Sequence, residues 1–249
     1  MIRLFRNIRH NLLSGNDYGR YIIYASGEIL LVVIGILLAL QLDSWHQKHL
    51  DHKSEKYFLN QIMIELESDS LNLHQQKIRL ENGLPIIETL VEELHKQDNQ
   101  ESFNRSLRAY LDGVWAPLFL TVNNSTFEEM KSSNKLGIIR DRILRNGIID
   151  IYNQLNQVQM VFTANSDFMS PMDRNLSYDL ALARYLKIQA PMFGSYITEE
   201  ELYQYKNISL ELESNAANWH WTIVELIPLI NTQLEELGQL ISEIEEYLY

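Results

Sequence analysis

Residues 22–42 read IIYASGEILLVVIGILLALQL, an apolar run interrupted by one carboxylate, Glu28. At about 1.5 Å per residue, a helix of this length reaches roughly 31 Å, enough to cross the hydrocarbon core of a bilayer. Such a segment sets the compartment of everything on either side of it. The acid inside it also needs a reason, because an ionisable group in lipid is costly.

Charge is distributed unevenly about this run. Residues 1–20 carry four arginines against one aspartate, a net of +3, whereas residues 43–249 carry 17 basic and 31 acidic groups, a net of −14. The asymmetry is the positive-inside pattern. It predicts residues 1–20 as a cytoplasmic basic segment, 21–42 as a transmembrane helix and 43–249 as a periplasmic domain on the far side of an inner membrane. The run exceeds the 7–15 residues usual for a cleaved signal and no clear small-x-small site follows it, so it reads as an uncleaved signal anchor. So acidic a domain argues against nucleic-acid binding, which needs Lys and Arg for phosphate.

The chain has no cysteine. That removes disulfides, thiol nucleophiles, iron–sulfur clusters and Cys-based zinc sites, and leaves the redox compartment open. With 10 Gly and 5 Pro in 249 residues, an all-β or loop-rich fold is disfavoured.

The periodicity predicts an all-α fold: one transmembrane helix continuing into an elongated helical bundle. Residues 2–13 pattern as a short amphipathic helix for the headgroup region, or as a basic tail that only sets topology. Beyond Asp43, Phe58, Ile62, Leu66 and Leu73 fall at helical spacing to about Leu80, with a stop expected at Asn82-Gly83. A second helix is expected from Leu84-Pro85 to about Gln97 and a third over about Ser102–Asp112. Residues 113–124 are apolar without a helical period and read as an extended connection. Ser125-Thr-Phe-Glu128 and Thr198-Glu-Glu-Glu201 read as capping boxes. Asn134-Lys-Leu-Gly137 reads as a stop. A long helix is expected from Asp141 to Ser170, interrupted by Pro171 and resuming to about Lys187. A loop is expected over 188–197, and a final helix from about Ile208 to Leu248, kinked by Pro228 and carrying a coiled-coil-like stripe from Trp219 to Leu248.

The N-terminal text FRNIRHNLLS…YIIYASGEILLVVIGILLALQL and the block STFEEMKSSNKLGIIRDRILRNGIIDIYN at 125–153 resemble an uncharacterised Bacteroidota family of single-pass inner-membrane proteins. Its members share an F-R-x-I-R start and a G-E-I-x-L-V-V-I-G-I-L-x-A-L-Q core. The resemblance implies an inner-membrane anchor and a periplasmic helical domain, and it implies no activity. It also gives Asp69-Ser70-Leu71 the form of the short O-glycosylation pattern of that phylum.

On a helical plot Ala25, Glu28, Val32, Gly35 and Ala39 form one seam, separated by steps of three and four. The bulky Leu30, Leu31, Ile34, Leu37 and Leu38 lie away from it. Gly35-x-x-x-Ala39 is a small-xxx-small pair of the kind that lets helices approach closely. Three readings of Glu28 stay open: a hydrogen-bonding group fixing register between helices, a snorkelling side chain about 12 Å from Arg20, or a titrating group in an ion-coupled machine.

Three further constellations are candidates for chemistry. His46, His49 and His52 are weak metal candidates just beyond the membrane, and the alternative is interfacial polar residues beside Trp45. Arg140, Arg142 and Arg145 are a possible anion or partner patch, although such residues more often pair with acids such as Glu128, Glu129, Asp141 and Asp150. Trp219-His220-Trp221 reads as core contact plus one exposed tip. The sequence has no nucleophile elbow, P-loop, dinucleotide fingerprint or HExxH. The expected function is a non-enzymatic scaffold or accessory subunit, without a cofactor. It would contact membrane lipid and assemble as a homo-oligomer or with another inner-membrane protein. A ligand sensor acting through a partner, or a subunit of an ion-coupled complex using Glu28, are the alternatives.

Overall fold

In a computed structural model, residues 18–96, 99–114, 118–179 and 197–249 are described, and no strand occurs among them. The elements are α1 (Tyr18–His95), α2 (Gln100–Gly113), α3 (Ser125–Ser132), a 3-10 turn (Leu136–Ile138), α4 (Arg142–Asp179), α5 (Glu199–Tyr203), a second 3-10 turn (Gln204–Ile208) and α6 (Ser209–Leu248). The fold is all-α, with a long apolar N-terminal helix followed by further helices. The chain divides into two units, Met1–Tyr57 and Phe58–Tyr249.

In the first unit the described part of α1 is exposed nearly throughout. Its apolar section includes a window of mean hydropathy 2.2 with none of its residues buried, so by length and composition this helix can cross a membrane. The expected amphipathic segment at 2–13 lies outside the described residues.

The second unit holds one hydrophobic core. The antiparallel pair α4 and α6 forms a large part of it. Gly147 near the start of α4 faces Leu240 near the end of α6, and Asp173 near the end of α4 meets Trp219 near the start of α6. A Cβ on Gly147 would lie 3.2 Å from Leu240 Cδ1, so glycine permits the close approach. The stripe of α4 (Leu144, Ile148, Ile151, Leu155, Val158) and most of that of α6 (Trp219, Ile223, Leu226, Ile230, Leu237, Ile244, Leu248) are buried as their spacing predicts, while Leu234 and Ile241 of the α6 stripe are only partly buried. Phe127 and Tyr152 stack at 4.5 Å between centroids.

Two expected helix breaks do not occur. α1 passes through Asn82-Gly83 and Pro85 without interruption. Gly83 packs rather than stops: a Cβ there would lie 3.2 Å from Ile223. Proline inside a helix costs about 3 kcal/mol. Leu80, Ile87, Leu90 and Leu94 are buried on either side, and each contributes about 1.5–3 kcal/mol, so packing wins. α4 likewise continues through Pro171 to Asp179, with Met169 and Leu176 buried on both sides of it. The resumption towards Lys187 and the loop at 188–196 lie outside the described residues.

The caps are partly as expected. Thr198 and Glu201 form the reciprocal capping box of α5, with Thr198 Oγ1 accepting from Glu201 N at 3.2 Å and Glu201 Oε2 accepting from Thr198 N at 2.9 Å. Asp141 caps α4, its Oδ1 accepting from Ile143 N at 2.7 Å and Leu144 N at 3.0 Å. Asn134, at φ 56°, closes α3. Lys135 N donates to Met130 O at 2.7 Å and Asn134 N to Lys131 O at 3.2 Å, a Schellman arrangement. The box expected at Ser125–Glu128 does not form. Ser125 is already helical, and its cap comes from a distant helix.

Candidate functional site

The seam predicted in α1 is open on the molecule's surface. Glu28, Val32, Gly35 and Ala39 are exposed and Ala25 is half-buried. Ala25, Glu28 and Val32 line one shallow concavity with Ile29 and Val33, of about 360 Å³. A Cβ added at Gly27 or Gly35 would meet nothing within 4 Å. Gly35 and Ala39 lie further along the same helix, as their numbering requires.

The sequence reading missed a pair of carboxylates one turn apart in α1, Glu65 and Asp69. Glu65 Oε1 accepts from Ser125 Oγ at 2.5 Å, Thr126 N at 3.0 Å and Thr126 Oγ1 at 2.8 Å, and Oε2 accepts from Tyr152 OH at 3.1 Å. One carboxylate thus caps α3 and ties it to α1 and α4. A negative charge at a helix N-terminus is favourable, which explains why an acid occupies this place. Asp69 accepts from Asn123 N at 3.0 and 3.1 Å and from Asn123 Nδ2 at 2.8 Å. It is 1% exposed. Burial pushes its pKa up to about 6 against the hydrogen bonds from Asn123, with Glu65 adding to the rise. Burial also raises the Tyr152 hydroxyl, reinforced by Glu65. With Glu65 taken up by four donor groups and Asp69 by Asn123, this arrangement holds the 123–126 segment in place rather than presenting a base.

A signal for the pair was present. Ile62, Leu66, Asp69 and Leu73 follow at steps of four, three and four, so Asp69 stands on a core position of an apolar stripe. An acid there implies a partner brought in by folding. Within the tripeptide 69–71, Asp69 is buried, Ser70 half-buried and Leu71 exposed.

A second polar network joins α2, α4 and α6. Tyr110 OH donates to Asn215 Oδ1 at 2.5 Å, and Asn215 Nδ2 donates to Asp173 Oδ1 at 2.9 Å. Trp219 Nε1 donates to the same oxygen at 3.1 Å. Burial, then the Asp173 charge, raises the Tyr110 hydroxyl well above its ordinary value. Beside this network Met172, Asn175, Leu176, Ser214, Asn215 and Asn218 line a half-open cavity of about 270 Å³ with Glu211 at its rim. Trp219 is buried, as expected, whereas Trp221 is 55% exposed and His220 half-buried, so one tryptophan of that tripeptide supplies a core contact and the other does not.

The remaining candidates are dispersed. His49 stacks on Trp45 at 6.5 Å, and His52 meets Glu55 at 3.2 Å. Among the described residues no group of three His, Cys, Asp or Glu is arranged to hold a metal ion. Arg140 is exposed ahead of α4, and Arg142 and Arg145 occupy its first turn. Of the acids expected to pair with them, Glu128 meets Lys131 at 3.2 Å and Asp141 caps the helix.

Together these features define a class: an all-α protein with one helix able to cross a membrane and a helical domain latched by buried and half-buried carboxylates. A model of a family of unknown function, DUF6090, matches residues 28–169, more than half of the chain. The chain belongs to this DUF6090 family. No curated protein and no solved structure matches it.

Proposed function

We propose that this is a single-pass inner-membrane protein of the Bacteroidota type, with a cytoplasmic N-terminus and an acidic periplasmic helical domain. In this reading it is a non-enzymatic scaffold or accessory subunit that assembles through its membrane helix. The carrying observation is the seam of Ala25, Glu28, Val32, Gly35 and Ala39, with a concavity around Glu28 and open space over Gly35. Small residues permit close helix approach, and a carboxylate within lipid favours a protein neighbour. The charge reversal across the anchor supports the orientation.

The test is a native gel of the full chain extracted in mild detergent, beside Glu28→Leu and Gly35→Leu. The expected result is an assembly larger than the monomer that both substitutions weaken. A strictly monomeric wild type with Glu28→Leu indistinguishable from it would sink the assembly reading. The cavity beside Asp173 favours a second reading, in which the periplasmic domain senses a small polar ligand and signals through a partner. Stabilisation of the full chain by one member of a panel of small polar solutes would support it.

A further inference from the structure

The buried stripe of α1 has a counterpart facing outward. Ile64, Leu71 and Ile78 recur at intervals of seven residues and are 55%, 59% and 47% exposed. Gln61, Ser68 and Gln75 alternate with them at steps of three and four, Ser68 at the seam's edge, where its Oγ accepts from Asn123 Nδ2 at 3.2 Å. The six residues form one seam of alternating aliphatic and uncharged polar groups, with no charge over its length. Elsewhere the face of α1 is charged, as at Glu67 and at the Lys77–Glu81 pair. A strict heptad of this kind is the pattern by which one helix supercoils with another.

We propose that this outward face of α1 pairs in parallel and in register with the same face of a second copy of the chain. Charge decides which face a second copy can use. Residues 43–249 carry a net of −14, so two copies repel over most of their surface, and they approach at least cost along an uncharged face. Register follows from the layers. A parallel pair stacks each residue on its own copy, which suits Ile on Ile, Leu on Leu and a hydrogen-bonding Gln on Gln, and does not suit stacked like charges. The parallel sense rests on the membrane reading above, because anchors of one topology bring their helices out of the bilayer in the same direction.

The absence of cysteine makes the test clean. Single substitutions Leu71→Cys, Ile78→Cys and, off the seam, Glu81→Cys are made in the full chain, with Gly35→Cys reporting on the anchor. Membranes are oxidised with copper phenanthroline and dimers scored on non-reducing gels. We expect Leu71→Cys and Ile78→Cys to give dimer of twice the chain mass about fivefold faster than Glu81→Cys. The combined Ile64→Lys, Leu71→Lys, Ile78→Cys variant should lose that advantage while staying in the membrane fraction. Equal rates at 71, 78 and 81, or a product whose mass is not twice that of the chain, overturns the pairing. If Gly35→Cys alone crosslinks, the anchor assembly stands and this inference falls. Recovery of the chain in the soluble fraction removes the membrane reading and the parallel pairing with it.

Discussion

Two acids in the same helix met opposite fates. Glu28 and Asp69 each stand on an otherwise apolar helical stripe. Asp69 is buried, and Asn123 supplies its hydrogen bonds from across the domain. Glu28 lies on an exposed face, beside a shallow concavity that it lines with Ala25, Ile29, Val32 and Val33. An apolar stripe with an acid in it is therefore a demand for a neighbour. In the domain of residues 58–249 the chain supplies that neighbour itself. In the anchor the apolar residues around Glu28 are exposed, and the proposed cover for that face is another helix in the membrane.

The comparison can be broken most forcefully at Glu65. Glu65→Ala strips the cap from α3 and leaves Thr126 N, Ser125 Oγ and Tyr152 OH without their acceptor, a loss of about 2–3 kcal/mol for a half-buried network. Thermal unfolding of the detergent-solubilised chain measures it, and Glu65→Gln should recover part of the loss. An unchanged Tm would mean that the latch is ornamental. Next in size is Trp219→Phe, which keeps the ring in the core but removes the donor to Asp173, for about 1–2 kcal/mol by chemical denaturation.

The pH dependence sharpens the contrast. The Asp69 pKa is raised in the fold from 3.8 to about 6, so the folded state holds its proton more tightly than the unfolded chain. Its contribution to stability is therefore greatest below about pH 4 and falls as pH rises to about 6, by no more than about 3 kcal/mol. Glu93 and Glu199 act in the opposite sense. Lys96 lowers the first, and Asn104 then Arg108 lower the second, so their contributions fade in acid. Asp69→Asn should flatten the part of the stability profile between pH 4 and 6 that is unfavourable to ionisation. A profile identical to wild type in that window would remove Asp69 as its source. The smallest effect is expected at Asn134, whose φ of 56° suits glycine. Asn134→Gly should change stability by under about 0.5 kcal/mol, whereas Asn134→Val should cost about 1–2 kcal/mol.

Much of this architecture was legible in the residues. The core stripes of α1, α4 and α6 follow directly from three- and four-residue spacing, because burial in a helical pair depends on that period alone. The box at Thr198–Glu201 was readable because both of its halves are local. The box at Ser125 was not, since the carboxylate that caps this helix is 60 residues away in sequence. The stops expected at Gly83 and Pro171 failed for a related reason. Local propensity counts a few kcal/mol against the helix, and tertiary burial of Ile87, Leu90, Met169 and Leu176 outweighs it. The anchor seam can be drawn from sequence alone because it needs only one helix, and it stands as a proposal. At the Glu65–Asp69 latch the misplaced acid Asp69 was legible but its partners were not, and the Asp173 network was hidden, because each needs three elements.

In the proposed assembly the face of Ala25, Glu28, Val32, Gly35 and Ala39 meets another helix while the bulky face meets lipid. The most direct measurement compares Gly35→Cys with Leu37→Cys, each the sole cysteine of the full chain, by oxidative crosslinking in native membranes. The account predicts rapid capture of a defined partner, a second copy or another membrane protein, from Gly35→Cys and little from Leu37→Cys. Equal capture from both faces, or capture from Leu37→Cys alone, would contradict it.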